Sequence, residues 1–285
     1  MIKALILLYI IWGYNWVVMK VSTAYFPPVL FVACRALMAA AVLLLVCAFR
    51  HTFWPERKYW PWIFLTGVSQ IVLNNAAMQI GIVTLSAGLV AVLNYTMPVF
   101  MAILAHFFLN ERLTKRKCFG IFLSMAGLCL LMNIHFDNHI GAMLIVLGGA
   151  LGWAVSGVIL KLKLGGCDMI TCTAWQMALG GIVLAFWATG SGQTTVIWNL
   201  TSVSALLYNV LLAGAAGFFL WNYILQHMEA SKAGTAILVV PAIGVLSGIL
   251  FLGEMLTWNI ALGMILILAG VVIIVRKHSS HILHR

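Results

Sequence analysis

Arg35 stands in a stretch, 29–49, that is otherwise almost wholly apolar. An arginine among hydrocarbon side chains costs at least about 2.5 kcal/mol and normally turns to a partner or a wet cavity. Gln70, Asn74, Asn75 and Gln79 occupy a third apolar stretch, where Gln70 and Asn74, and Asn75 and Gln79, each lie one helical turn apart and form two adjacent polar stripes. Asn94 and Tyr95 come just before Pro98, while Trp12, Asn15, Trp16 and Met19 share one face of the first stretch at three- and four-residue spacing. The second half of the chain offers Trp153 and Ser156, Trp175 and Gln176, and Trp221 and Asn222. Groups of these kinds hold a solute by charge, hydrogen bonds and ring faces. Trp12, Asn15, Arg35, Asn74, Asn75, Gln79, Asn94, Tyr95, Trp153, Ser156, Trp175, Gln176, Trp221 and Asn222 are therefore expected to bind a substrate. For any single amide or indole the competing role is glue between helices.

The elements that position these groups follow from composition. With 64% hydrophobic and 8% charged residues, a chain of 285 residues cannot coat a soluble globule and belongs in lipid. A membrane-crossing helix needs about 20 apolar residues. Ten such runs are predicted, at 2–20, 29–49, 61–80, 88–109, 116–134, 140–160, 170–188, 204–225, 233–252 and 258–276. The first is too long and too rich in Trp and Tyr for a cleaved signal peptide. The net charge of +10 does not point to nucleic acid, because Lys3, Arg50, Arg57, Lys58, Arg112, Lys115, Arg116, Lys117, Lys161, Lys163, Lys232, Arg276, Lys277 and Arg285 all fall at alternate ends of the runs. By the positive-inside bias both termini are expected in the cytoplasm.

The chain also repeats itself. Pro98, Glu111, Thr114, Gly120 and Gly127 return 143 positions later as Pro241, Glu254, Thr257, Gly263 and Gly270. Trp12, Asn15, Lys20 and Arg35 meet Trp153, Ser156, Lys161 and Gln176 at an offset of 141. Two units are expected, 1–137 and 138–285, each of five helices. Five is odd, so the second copy must run inverted relative to the first, the arrangement that gives carriers two near-equivalent packings. The fold class is thus an all-α integral membrane bundle of ten helices in two inverted repeats. Pro98 and Pro241 are candidate hinges, and the glycines of the fifth and tenth helices read as a scaffold, with a homodimer as an alternative to a monomer.

Several functions are excluded on residue types. No phosphate loop, dinucleotide fingerprint or zinc spacing occurs. The six cysteines form no disulfide frame. All six acidic residues, Glu56, Glu111, Asp137, Asp168, Glu229 and Glu254, sit at helix ends or in loops, which leaves no mid-membrane carboxylate as proton relay or partner for an organic cation. His106 reads as interfacial. No cofactor, metal or catalytic pair is expected; the partners are a small solute and the bilayer.

Trp12-Gly13-Tyr14-Asn15, Arg35 after Pro28 and Phe31, and the twin Pro–Glu–Gly positions over ten helices resemble the drug/metabolite transporter superfamily, in its EamA-type ten-helix branch. The resemblance implies a secondary carrier that exports amino acids or related metabolites, with the first four helices of each half around a central cavity and the fifth and tenth beside it. Small multidrug members of the wider superfamily rely on a Glu in the first helix, where this chain has Tyr14-Asn15. The expected function is export of a neutral or zwitterionic metabolite, such as an aromatic or hydrophobic amino acid, by alternating access. Efflux of organic cations, and an intramembrane enzyme or scaffold, are the alternatives.

Overall fold

The computed structural model describes residues 1–85, 87–131, 139–192, 194–252 and 257–275. Glu254, Asp137, Arg276, Lys277, Arg285 and the boundary between the two expected units lie outside them. All regular structure among the described residues is helical. Seven helices, Ile2–Met19, Pro28–Phe49, Arg57–Gly81, Val90–Phe108, Ile140–Lys163, Met169–Gly190 and Leu200–His227, are long and apolar enough to cross a membrane, and shorter apolar helices cover Ala230–Gly244 and Trp258–Ile274.

In chain order the α-helices are α1 (Ile2–Ser22), α2 (Pro28–Phe49), α3 (Trp60–Thr66), α4 (Asn75–Thr84), α5 (Ala87–Asn94), α6 (Met97–Phe108), α7 (Lys115–Leu131), α8 (Ile140–Lys163), α9 (Met169–Gly190), α10 (Leu200–Tyr208), α11 (Gly217–His227), α12 (Ala230–Ala236), α13 (Val239–Leu252) and α14 (Trp258–Val275). Two π-helical segments join neighbours into continuous rods: Gly67–Asn74 links α3 to α4, and Asn209–Ala216 links α10 to α11. They begin 142 positions apart. π turns are rare and cluster at functional sites.

Helix ends follow local chemistry. Pro28 opens α2, where its missing N–H costs nothing. The Asp168 carboxylate accepts from the Thr171 N–H at 3.0 Å to start α9. Asn199 and Ser202 form a reciprocal capping box, so α10 begins at Leu200, four residues before the expected start of that run at 204. Near the two candidate hinge prolines the rods break: α5 ends at Asn94 and α6 resumes at Met97, while α12 ends at Ala236 and α13 resumes at Val239.

Apolar side chains face outward on most rods, among them Ile10, Phe49, Phe64, Phe107, Phe122, Phe186, Leu211, Leu250 and Ile265. Such a surface suits hydrocarbon and not water. The polar side chains turn inward: Arg35, Gln70, Asn74, Asn94, Ser156, Gln176, Asn209 and Asn222 are all buried. α2 packs on α9, and α7 packs on α14. A Cβ on Gly127 would come within 2.7 Å of the Gly263 carbonyl oxygen, and one on Gly120 within 2.8 Å of that of Gly270. The small-residue stripes therefore meet each other within one chain.

Ion pairs gather loops from both halves at one end of the bundle. Lys117 bonds Glu229 at 2.6 Å and lies 3.8 Å from Glu111, Lys161 lies 3.8 Å from Glu111, and Arg50 pairs with Asp168 at 3.3 Å. Glu111 also accepts from the N–H groups of Ala230 and Ser231, at 2.6 and 3.1 Å, and so caps α12. This is the basic end. At the opposite end the Ile197 N–H donates to the Tyr25 carbonyl and Phe26 meets Trp198.

Candidate functional site: a polar cavity clamped by two π segments

Arg35 lies in the second turn of α2, counted from the end opposite the basic one, and is 5% exposed. Its guanidinium donates to Asn75 Oδ1 at 2.6 Å and to Asn209 Oδ1 at 3.2 Å. Each amide is fixed in turn by a backbone carbonyl: Asn75 Nδ2 donates to Gln70 O, and Asn209 Nδ2 to Ala205 O. The oxygens are thereby turned to the cation, which keeps its charge in hydrocarbon only because these dipoles replace water.

Around it lies a cavity of about 80 Å³ lined by Trp12, Asn15, Trp16, Met19, Arg35, Gln70, Asn74, Asn75, Met78, Asn94, Tyr95, Trp153, Ala213 and Phe218. One water needs about 10–15 Å³ by this measure, so the space holds several. Asn74 Nδ2 donates to Asn94 Oδ1 at 2.6 Å, which ties the π segment to the end of α5. Trp12 Nε1 donates to the Ala213 carbonyl in the other π segment at 3.0 Å. A Cβ on Gly217 would fall 2.3 Å from that indole nitrogen, so only glycine lets Trp12 lie there.

A second cluster lies nearer the basic end. Gln176 Nε2 donates to Gln70 Oε1 at 2.8 Å, Ser156 Oγ–H to the same oxygen at 3.1 Å, and Asn222 Nδ2 to Gln176 Oε1 at 3.1 Å and Thr173 Oγ1 at 2.8 Å. Each half's second rod is thus gripped by the other half's π segment: Arg35 by Asn209, Gln176 by Gln70. Between the clusters Trp12, Trp153, Trp221 and Phe218 interlock, with centroids 5.5–6.2 Å apart.

Several buried polar atoms lack a hydrogen-bond partner: Asn15 Oδ1, Gln70 Nε2, Gln79 Oε1, Trp153 Nε1, Trp221 Nε1 and Asn222 Oδ1. Each such group costs about 1–3 kcal/mol, and those on Asn15, Gln70 and Trp153 belong to the cavity lining, where a ligand's polar atoms would satisfy them.

The cavity brings together Trp12, Asn15, Arg35, Asn74, Asn75, Asn94, Tyr95 and Trp153. Ser156, Gln176 and Asn222 form the second cluster, and Trp221 stands in the aromatic wall. Gln79 is buried but outside the cavity lining. Trp175 lies apart: its Nε1 donates to the Phe53 carbonyl at 2.9 Å, and it stacks on Trp54, 5.0 Å away, beside Trp60. Asn209 was not among the expected residues. Its signal was an amide in the run 204–225, where Asn222 is the other one, since intramembrane polar groups need partners. Ala213 and Met78 carried no signal at all.

A multi-helix bundle with an apolar surface and an internal polar cavity defines a multi-pass membrane protein. The chain belongs to the EamA-like transporter family, whose description matches residues 1–133 and 140–276. It is 32% identical over 273 residues to "Uncharacterized transporter YoaV" of Bacillus subtilis, covering 92% of each chain. It is 28% identical over 287 residues to a "Probable amino-acid metabolite efflux pump" of Escherichia coli, covering 94% of this chain and 92% of that one. A similarly named protein of Salmonella typhimurium is 26% identical over 286 residues, with 94% and 92% covered. A solved crystal structure shares the fold at a TM-score of 0.85 and 15% identity, over 96% of this chain and 97% of that one. The chain is a membrane transporter.

Proposed function

We propose that this transporter exports a small zwitterionic or neutral metabolite, such as an aromatic or hydrophobic amino acid, by alternating access through the cavity at Arg35. One observation carries the reading. The buried guanidinium shares its cavity with unpartnered donors on Gln70 and Trp153, an unpartnered acceptor on Asn15, and the rings of Trp12, Trp16 and Tyr95. A carboxylate suits the donors, and an ammonium suits the acceptor and ring faces. The names of the Escherichia coli and Salmonella typhimurium relatives favour the same class. Among the described residues no acidic side chain lines the cavity, which disfavours an organic cation.

In this reading the rods cross the membrane ten times as two inverted five-helix repeats, with the basic end and both termini in the cytoplasm of an inner-membrane protein. The paired π segments, and the paired rod breaks near Pro98 and Pro241, support it. The purified protein in liposomes is expected to move labelled amino acids from a panel. Arg35→Ala should cut that flux at least tenfold while the chain stays folded. Failure of every zwitterion in the panel would rule out the amino-acid assignment.

A further inference from the structure

The Arg35 cavity and the amide cluster of Gln176 occupy equivalent places in the two halves of the chain. Arg35 and Gln176 are 141 positions apart, as are Asn15 and Ser156 and Trp12 and Trp153. One set opens on a cavity; the other is shut. Asn222, Gln176 and Ser156 are each 0% exposed, and Trp221 is 1% exposed. Yet the shut set is not self-sufficient. Asn222 Oδ1 and Trp221 Nε1 have no hydrogen-bond partner, an acceptor and a donor at adjacent positions of α11. A cluster built only to hold helices together would spend those groups on its own members.

Gln70 joins the two sets. Its Oε1 accepts from Gln176 and Ser156, while its Nε2 is unpartnered and its side chain borders the Arg35 cavity. The indoles of Trp12, Trp153 and Trp221 lie between the sets as an aromatic wall.

We propose that Gln176, Ser156, Asn222 and the Trp221 indole form a second binding station, opened toward the basic end when the Arg35 cavity closes, that takes the same solute without a charged partner. The proposal rests on the transport reading above and adds an asymmetry to it. A solute carboxylate meets a guanidinium at one face of the membrane and only amides, a hydroxyl and an indole at the other.

Two measurements test it. In a chain whose six native cysteines are replaced by alanine, Asn222→Cys is treated with a small membrane-impermeant methanethiosulfonate from each face of oriented vesicles. Reaction from the basic face alone supports the station. Absence of reaction from both faces, or reaction only from the opposite face, overturns it. The second measurement uses labelled L-phenylalanine and reads KM separately at each face. Asn222→Ala should raise KM at the basic face about fivefold or more and leave the opposite face within about twofold, and Arg35→Gln should do the reverse. Equal shifts at both faces for Asn222→Ala would overturn the station. A wild type that moves no amino acid, with the Asn222→Cys thiol still reactive from the basic face, would sink the amino-acid reading and leave the station standing.

Discussion

Trp153 separates two roles that a buried indole can play. Its ring packs against Trp12 and Trp221, but its N–H bonds nothing. Trp153→Phe keeps an aromatic ring in the wall and removes the orphan donor, so thermal unfolding of the purified protein should show no loss of stability, or a small gain of up to about 1 kcal/mol. If the donor serves a solute, KM for the transported amino acid should rise severalfold. An unchanged KM would mean that the indole only packs. Trp12 is the contrasting case, since its N–H is spent on the Ala213 carbonyl. Residue types pointed to both tryptophans, and to Arg35, because polar groups in an apolar run are costly wherever they sit. They could not separate Trp175 from the others. At the sequence level it looks the same, and only the approach of Phe53, Trp54 and Trp60 places it in an aromatic cluster away from the cavity.

At the scale of elements, one carboxylate reaches across the chain at the basic end and ties its connections together. Glu111, in the connection between α6 and α7, caps α12 and lies near Lys117 and Lys161. Glu111→Gln keeps one of the two oxygens that accept in the cap and discards both ion pairs. It should loosen this end, read as faster labelling of Ser231→Cys by an impermeant thiol reagent. Equal labelling rates in the two proteins would show that the charge does not hold the end closed. Glu229 gives the pH dependence. Burial alone would raise its carboxyl pKa, but hydrogen bonds from Lys117 and Lys232 outweigh that and hold it below the ordinary value. A depressed pKa contributes stability that is complete above the unfolded value of about 4.3 and is lost as pH falls through the lower folded one. The end should therefore loosen below about pH 4 in the wild type, and less so in Glu229→Gln. Helix boundaries at this scale were readable from apolar run length, which fixes a span to within a few residues. The π segments were not, because Gly67–Asn74 and Asn209–Ala216 share no residue pattern that separates a π turn from an α turn.

For the whole molecule, charge placement and internal repetition did most to make the architecture legible. Under the proposed ten-crossing orientation, which basic residues at alternate helix ends favour, reporters fused to residues 1 and 285 should both report the cytoplasmic side. Opposite sides for the two would refute the ten-crossing reading. The repeat of Pro98 and Pro241 pointed to the two places where the rods break, although each break falls a few residues before its proline. What the repeat could not convey is that each half's key side chain is held by the opposite half, as Arg35 is by Asn209. That pairing joins residues 174 positions apart. It depends on how rods pack, and nearly every face of these rods is apolar.

The π segments carry one more consequence. A π turn holds one residue more than an α turn, so each third rod keeps a residue of slack beside the side chain it grips. If that residue passes along the helix, the stretch it crosses turns by about 100°, while each backbone carbonyl there trades one partner for the next and none is left bare in lipid. Asn209 and Gln70 could then let go of Arg35 and Gln176 by turning, at no cost in unfolded backbone.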